Sequence, residues 1–338
     1  MHCTGALKTR VKAILAAAVM SVALLAFSGG CSGEEPAAVA SETRVLLDTY
    51  CTITIYGAHD ASLLEEAFEM CAGYEALFSI TREGSDVWRI NHAGGEPVTV
   101  APQTAGVICE GLSYCELSGG LFDITIGRVS RLWDFSGNPR VPADAELEAA
   151  RATVDYRKVL VEGNSVTLLN PEAWIDLGGI AKGYIANRLA EFLLAREVAG
   201  AVIDLGGDVA IIGEKPDGEP WRLGVRQPFG GRSDLLGVIE TGEASVVTSG
   251  VYERQFESGG RLYHHILDPV TGFPVVTDIV SATVVTDNST AGDALSTIAV
   301  LAGSAGAADL LSRADGFTGA VLLLDSGELL TIGDVSFR

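Results

Sequence analysis

A chain of 338 residues with 48% hydrophobic content has enough apolar material for one large packed body or two closely joined ones, and is too apolar for disorder. Its formal net charge of −21 excludes a nucleic-acid or anionic-lipid surface of the usual electrostatic kind. An anionic ligand must therefore be met locally, by a helix start, one or two basic side chains, or a metal ion.

The opening residues differ in kind from the rest. Lys8, Arg10 and Lys12 precede an apolar run over 13–27, which ends in Ser28-Gly-Gly-Cys31. A basic start, a short apolar core and small residues describe a secretory signal, too short for a comfortable membrane span. Cys31 directly after the small residues has the form of a bacterial lipoprotein signal, with Ser28 where Leu is the commoner residue. The expected layout is a signal over 1–30, a lipidated Cys31, a flexible tether over 31–43 and one domain over 44–338. The expected location is the extracytoplasmic (periplasmic) face of the cell membrane, held by the lipid anchor. Removing the signal takes the net charge from −21 to −24, because residues 1–30 carry three basic and no acidic side chains. Cys51, Cys71, Cys109 and Cys115 make no CxxC or Cys/His box and are expected as buried free thiols.

Residues 45–56, rich in Val, Ile, Thr and Tyr, predict a first strand, and 61–77 a helix. A polar loop over 78–91 leads into a short helical turn. Pro102 opens a helix that closes at Gly119-Gly120. Gly120-Leu-Phe-Asp-Ile-Thr-Ile-Gly127 then runs on to Trp133 and Phe135, a mixture that suits core packing or the lining of a planar ligand. An excursion with a short helix over 139–155 and a hairpin over 159–169 follow.

The most informative stretch is Asp176-Leu-Gly-Gly-Ile-Ala-Lys-Gly183. Ile180, Ile185, Leu189 and Leu193 lie near helical spacing and predict one buried face. Gly178 and Gly179 clear side chains from the helix entry, and a helix start carrying Lys182 favours anionic groups. The run matches neither GxxxxGK[ST] nor GxGxxG. A near copy, Ile203-Asp-Leu-Gly-Gly-Asp-Val209, suggests paired glycine turns converging on a phosphorylated ligand; tight turns against a sheet are the plainer alternative.

Strands are predicted over 221–226 and 235–240, and a strand and turn over 245–254. Leu262-Tyr-His-His-Ile-Leu-Asp-Pro-Val-Thr-Gly272 puts two histidines side by side on a strand, so only one of them faces a cleft. A strand over 279–286 precedes a helix over 289–301, on which Asp293 and Thr297 share a face. A helix over 304–313 and a hairpin over 320–324 and 328–332 close the chain. Long helices between antiparallel hairpins predict an α+β fold of mixed or antiparallel sheets with packed helices.

These runs together resemble the ApbE family of flavin transferases, the FAD:protein FMN transferases. The resemblance is carried by the Gly120–Gly127 run with Trp133 and Phe135, the Asp176–Gly183 run and Leu205-Gly-Gly-Asp208. Thr248-Ser-Gly250, His265-Ile-Leu-Asp-Pro-Val-Thr-Gly272 and Asp293-Ala-Leu-Ser-Thr297 complete it. It implies a single α+β unit with FAD in a central cleft and a divalent metal, Mg²⁺ or Mn²⁺ in its place, beside the pyrophosphate. The implied reaction cleaves FAD, attaches FMN to a Thr or Ser of a partner flavoprotein and releases AMP. Redox-pump subunits and extracytoplasmic electron-transfer proteins are the implied acceptors, and many members are anchored lipoproteins. By position, Asp293, Thr297 and the Gly179 carbonyl fall at the metal. Leu47, Thr81, Leu121, Phe122, Asp123, Asp176, Lys182 and Ile266 fall at FAD. His265 falls at the residue that activates the acceptor hydroxyl, with an ordinary imidazole pKa near 6.5 and Asp268 as the next candidate base. Asp293 is expected at an accessible position outside the core. The chain departs from the family where Met-Gly-Thr is Leu47-Asp48-Thr49, and where a ring-covering tyrosine is Thr81. An FAD pyrophosphatase using water as acceptor and a non-catalytic FAD-binding lipoprotein are the competing functions.

Overall fold

Thr49–Tyr56 reads Thr-Tyr-Cys-Thr-Ile-Thr-Ile-Tyr, and Cys51, Ile53 and Ile55 are wholly buried while their neighbours are not. This period of two is what a sheet with one face on a core requires. The computed structural model describes residues 39–57, 59–231 and 234–338. Its central sheet has eight strands: Val39–Leu46, Thr49–Tyr56, Gly200–Leu205, Asp208–Gly213, Ser245–Gly250, Ile279–Thr286, Phe317–Leu324 and Leu329–Gly333. They lie side by side in chain order, and every neighbouring pair is antiparallel. The fold is α+β, a meander widened by insertions.

The largest insertion, between Tyr56 and Gly200, supplies helices Leu63–Phe78, Pro102–Leu117 and Ala181–Ala195 and a small three-stranded sheet. Ile180, Ile185, Leu189 and Leu193 are fully buried, as their spacing predicts. Helix Ala181–Ala195 packs against helices Leu63–Phe78 and Ser289–Ser312 and against strands Gly200–Leu205 and Asp208–Gly213. On the other face of the central sheet, Val246 and Val285 meet Val225 and Ile239. Those partners belong to a second sheet of Trp221–Arg226, Leu235–Thr241 and Ser336–Phe337.

Ser289–Ser312 is long and apolar enough to cross a membrane, but Ala294, Leu295, Ile298, Ala299 and Val300 are wholly buried against the sheet, so it is a core helix. Its two predicted parts meet at Gly303, whose φ of 67° and ψ of 171° break the helix. Residues 39–43, expected within the tether, form strand with 44–46 instead. Val39–Leu46 pairs along its length with Thr49–Tyr56, and the turn falls at Leu47-Asp48. The expected signal, Cys31 and tether residues 31–38 lie outside the described residues.

Candidate active site

One cleft is assembled from separate parts of the chain. The segment Trp174-Ile175-Asp176 is fixed by Asn91, whose amide donates to the Ile175 carbonyl (2.9 Å) and accepts from the Ile175 N–H (2.7 Å). The same segment lies along residues 124–127: the Asp176 N–H donates to the Ile124 carbonyl (2.8 Å) and the Gly127 N–H to the Trp174 carbonyl (3.0 Å). The Phe122-Asp123 turn therefore sits beside the Gly178-Gly179 turn. A Cβ on Gly179 would approach the Phe122 ring to 2.8 Å, so close packing requires glycine there. The Asp123 carboxylate accepts from the Thr125 N–H (2.8 Å) and hydroxyl (2.6 Å) and from the Tyr156 N–H (3.1 Å). Burial pushes its pKa up. Asp176 accepts from the Ser130 hydroxyl (2.6 Å) and the Gly178 N–H (2.9 Å). Both carboxylates hold the cleft's turns in shape.

The cleft floor forms where helices Ala181–Ala195 and Ser289–Ser312 cross. Gly183 makes the crossing: a Cβ on it would lie 2.1 Å from the Ser289 carbonyl oxygen and 2.8 Å from Asp293 Cβ. That approach brings Lys182 and Asp293 together. Lys182 Nζ is 2.6 Å from Asp208 Oδ2 and 3.5 Å from Asp293 Oδ1, and Asp293 Oδ2 accepts the Gly183 N–H at 3.0 Å. Burial opposes the ammonium charge, but the two carboxylates outweigh it and hold Lys182 above its ordinary range. Burial, then repulsion from Asp293, pushes Asp208 well up. One turn beyond Asp293, the Thr297 hydroxyl lies 3.2 Å from the Ser249 hydroxyl.

These surfaces enclose about 480 Å³, within the range of small-molecule sites. Leu47, Thr81, Leu121, Phe122, Asp123, Asp176, Gly179, Lys182, His265, Ile266, Asp293 and Thr297 all line it. Residues from across the chain that the family resemblance implies thus share a single cavity. Sequence reasoning assigned nothing to Asp208, Glu253 or Arg254. The repeated Leu-Gly-Gly-Asp run was the one signal that pointed to Asp208.

Several expectations need correction. The second glycine turn is no phosphate cradle: Gly206 and Gly207 do not line the cavity, and a Cβ on Gly206 would strike Thr49. That turn joins two neighbouring strands and delivers Asp208 to Lys182. The start of helix Ala181–Ala195 is also less open than expected, since its Ala181 and Gly183 N–H groups already bond to the Leu177 carbonyl and to Asp293. Asp293 is only 2% exposed, not an accessible residue outside the core. Trp133 packs with Phe256, Tyr263 and Phe273 rather than facing a ligand, while Phe122 and Phe135 do line the cavity. Cys51, Cys71 and Cys115 are buried free thiols, but Cys109 is exposed.

His265 lies just past strand Arg261–His264 and turns into the cavity, whereas His264 Nε2 donates to the Val275 carbonyl (3.2 Å). Neither ring nitrogen of His265 has a hydrogen-bond partner among the described residues, and Nδ1 is buried. Burial first, then the neighbouring Arg254 and His264, lowers its pKa to about 3, so the ring is neutral at neutral pH instead of half-protonated near 6.5. Asp268 does not line the cavity, and its carboxylate accepts from the Val270 N–H (2.8 Å) and Thr271 hydroxyl (3.0 Å), which removes it as a ready alternative base.

Seven carboxylates and three basic side chains line the cavity. An anionic ligand would be repelled unless a cation accompanied it. Among the described residues no three His, Cys, Asp or Glu side chains cluster for a metal. The donors present are instead one carboxylate of Asp293, the Thr297 hydroxyl and the nearby Gly179 backbone, where a Cβ would lie 3.8 Å from Thr297 Oγ1. Hard oxygen donors completed by water fit Mg²⁺.

Fold and site together define an α+β protein with a cleft suited to an anionic ligand and its counter-ion. The chain belongs to the ApbE family, whose model matches residues 47–322. It is 36% identical over 265 residues to an FAD:protein FMN transferase of Klebsiella pneumoniae, covering 77% of this chain and 81% of that one. It is 32% identical over 303 residues to one of Treponema pallidum, covering 83% and 84%. The crystal structure of the ApbE protein from Thermotoga maritima superposes with a TM-score of 0.80 at 34% identity, covering 87% of this chain and 97% of that one. The flavin transferase ApbE from Vibrio cholerae gives 0.78 at 27%, covering 88% and 98%.

Proposed function

We propose that this chain is a Mg²⁺-dependent FAD:protein FMN transferase that attaches FMN to a Thr or Ser of a partner flavoprotein and releases AMP. The observation that carries it is the convergence of every described residue implied by the family resemblance on one cavity, in a chain of the ApbE family. The acceptor hydroxyl attacks the phosphorus of the FMN half; the new P–O bond forms as the pyrophosphate P–O bond breaks and AMP departs. His265, neutral and facing the cavity, takes the hydroxyl proton. Asp293, Thr297 and the Gly179 carbonyl are the residues that would hold Mg²⁺. Bound there, it would neutralise charge on the ligand's phosphate groups. Lys182 keeps Asp208 and Asp293 together in the buried floor, and the Asp123 and Asp176 turns shape the walls. Thr81, exposed and lining the cavity, stands where the family resemblance implies a ring-covering tyrosine, so looser FAD retention after turnover is expected. Export and a lipid anchor at Cys31 complete the proposal, with the acceptor on the same side of the membrane. Incubation with FAD and an acceptor flavoprotein tests it: a chelator is expected to abolish transfer and Mg²⁺ to restore it. Full transfer in excess chelator would contradict the metal requirement.

A further inference from the structure

We propose that Arg254 is the residue that grips the phosphate of the bound flavin, on the FMN side of the bond to be broken. This rests on the transferase reading and assigns within it a contact that Lys182 was expected to make. Three basic side chains line the cavity: Arg131, Lys182 and Arg254. The charge of Lys182 is already shared between Asp208 at 2.6 Å and Asp293 at 3.5 Å. Arg131 faces Asp134 at 3.6 Å. Arg254 alone of the three has no carboxylate within 4 Å among the described residues; its one side-chain partner is the neutral Ser136 hydroxyl, at 3.3 Å across the cavity.

An unpaired guanidinium in a wall rich in carboxylates is the group with most to gain from an arriving phosphate. Its planar fork also matches two phosphate oxygens at once, which an ammonium does not. Position supports the same assignment. The Arg254 carbonyl accepts the His265 N–H at 3.0 Å, so the guanidinium springs from the residue tied to the base. A phosphate held there stands beside the ring that receives the acceptor's proton. Arg254 is also among the groups that lower the pKa of His265, so a phosphate pairing with it would relieve that effect and make the ring a better base once substrate is bound.

The test compares flavins that differ only in the phosphate. Wild type, Arg254→Gln, Arg254→Lys and Arg131→Gln are titrated with FMN and with riboflavin in Mg²⁺ buffer, following flavin fluorescence. Arg254→Gln is expected to lose roughly 10- to 100-fold in FMN affinity and to keep riboflavin affinity, the loss usual for a hydrogen bond to a charged group. Arg254→Lys should recover part of the loss, and Arg131→Gln, which removes the same charge from a paired site, should lose much less. An unchanged FMN affinity in Arg254→Gln, or an equal loss for both flavins, would overturn the assignment while leaving the transferase proposal standing. Failure of the wild type to bind either flavin would overturn both.

Discussion

His264 and His265 are adjacent in the chain and end in different surroundings. The alternation of a strand was enough to predict that only one of them would face the cleft. The electrostatics were not legible, because burial and the approach of Arg254 are tertiary facts; an imidazole expected near pH 6.5 is held at about 3. This has a consequence for stability. In the unfolded chain the ring titrates near pH 6.5, so between about pH 6.5 and 3 the unfolded state binds more protons at this site. His265 therefore contributes its full share above pH 6.5, and that share is lost as the pH falls towards 3. His265→Ala has no such loss, so the stability advantage of wild type over variant should shrink on acidification from pH 7.5 to 5 in urea melts. A difference that stays constant would mean that the ring titrates alike in both states. At neutral pH the folded variant should bind FAD nearly as wild type and lose on the order of 10²–10⁴-fold in transfer. The same change at His264 should appear mainly as lost stability.

At the scale of elements, the long helices and most long strands were legible from apolar spacing bounded by Pro and Gly, whereas the short helix Gly127–Trp133 was not. The residues 39–43 were not: Val-Ala-Ser-Glu-Thr mixes strand formers with residues depleted in strands, and pairing with Thr49–Tyr56 decides the outcome. Hydroxyl pairs of Ser41 with Thr54 and Thr43 with Thr52, each at 2.8 Å, link the two. Gly183 shows the same limit within the site. Its motif was visible, but its purpose, the crossing of two helices distant in sequence, was not. Gly183→Ala would drive a Cβ to 2.1 Å from a backbone oxygen, which must separate the helices. A destabilisation of about 1–3 kcal/mol or more is expected, with reduced Mg²⁺ affinity as Asp293 is displaced. Gly73, exposed within helix Leu63–Phe78, has nothing within 4 Å of its would-be Cβ. Gly73→Ala should stabilise by about 0.5–1 kcal/mol. Thermal melts of the two variants should move in opposite directions; equal shifts would contradict the helix-crossing role.

For the whole molecule, the sequence made the α+β class and the family legible, but not the strand order, because the insertions hide which strands are neighbours. The net charge of −21 frames both binding and location. It means that a pyrophosphate ligand must be met by local positive groups, and it rules out simple attraction to anionic lipid as the means of reaching a membrane. If Cys31 carries the lipid, Cys31→Ala should move the protein from the membrane to the soluble fraction; unchanged membrane association would remove the anchor from the proposal. The central claim is transfer, and the mass of an acceptor flavoprotein after incubation with FAD and Mg²⁺ tests it most directly. The expected result is an acceptor heavier by one covalently bound FMN on a Thr or Ser, with AMP released in equal amount and neither product formed in chelator. An acceptor of unchanged mass beside free FMN and AMP would make the enzyme a hydrolase, and intact FAD would leave it a binding protein.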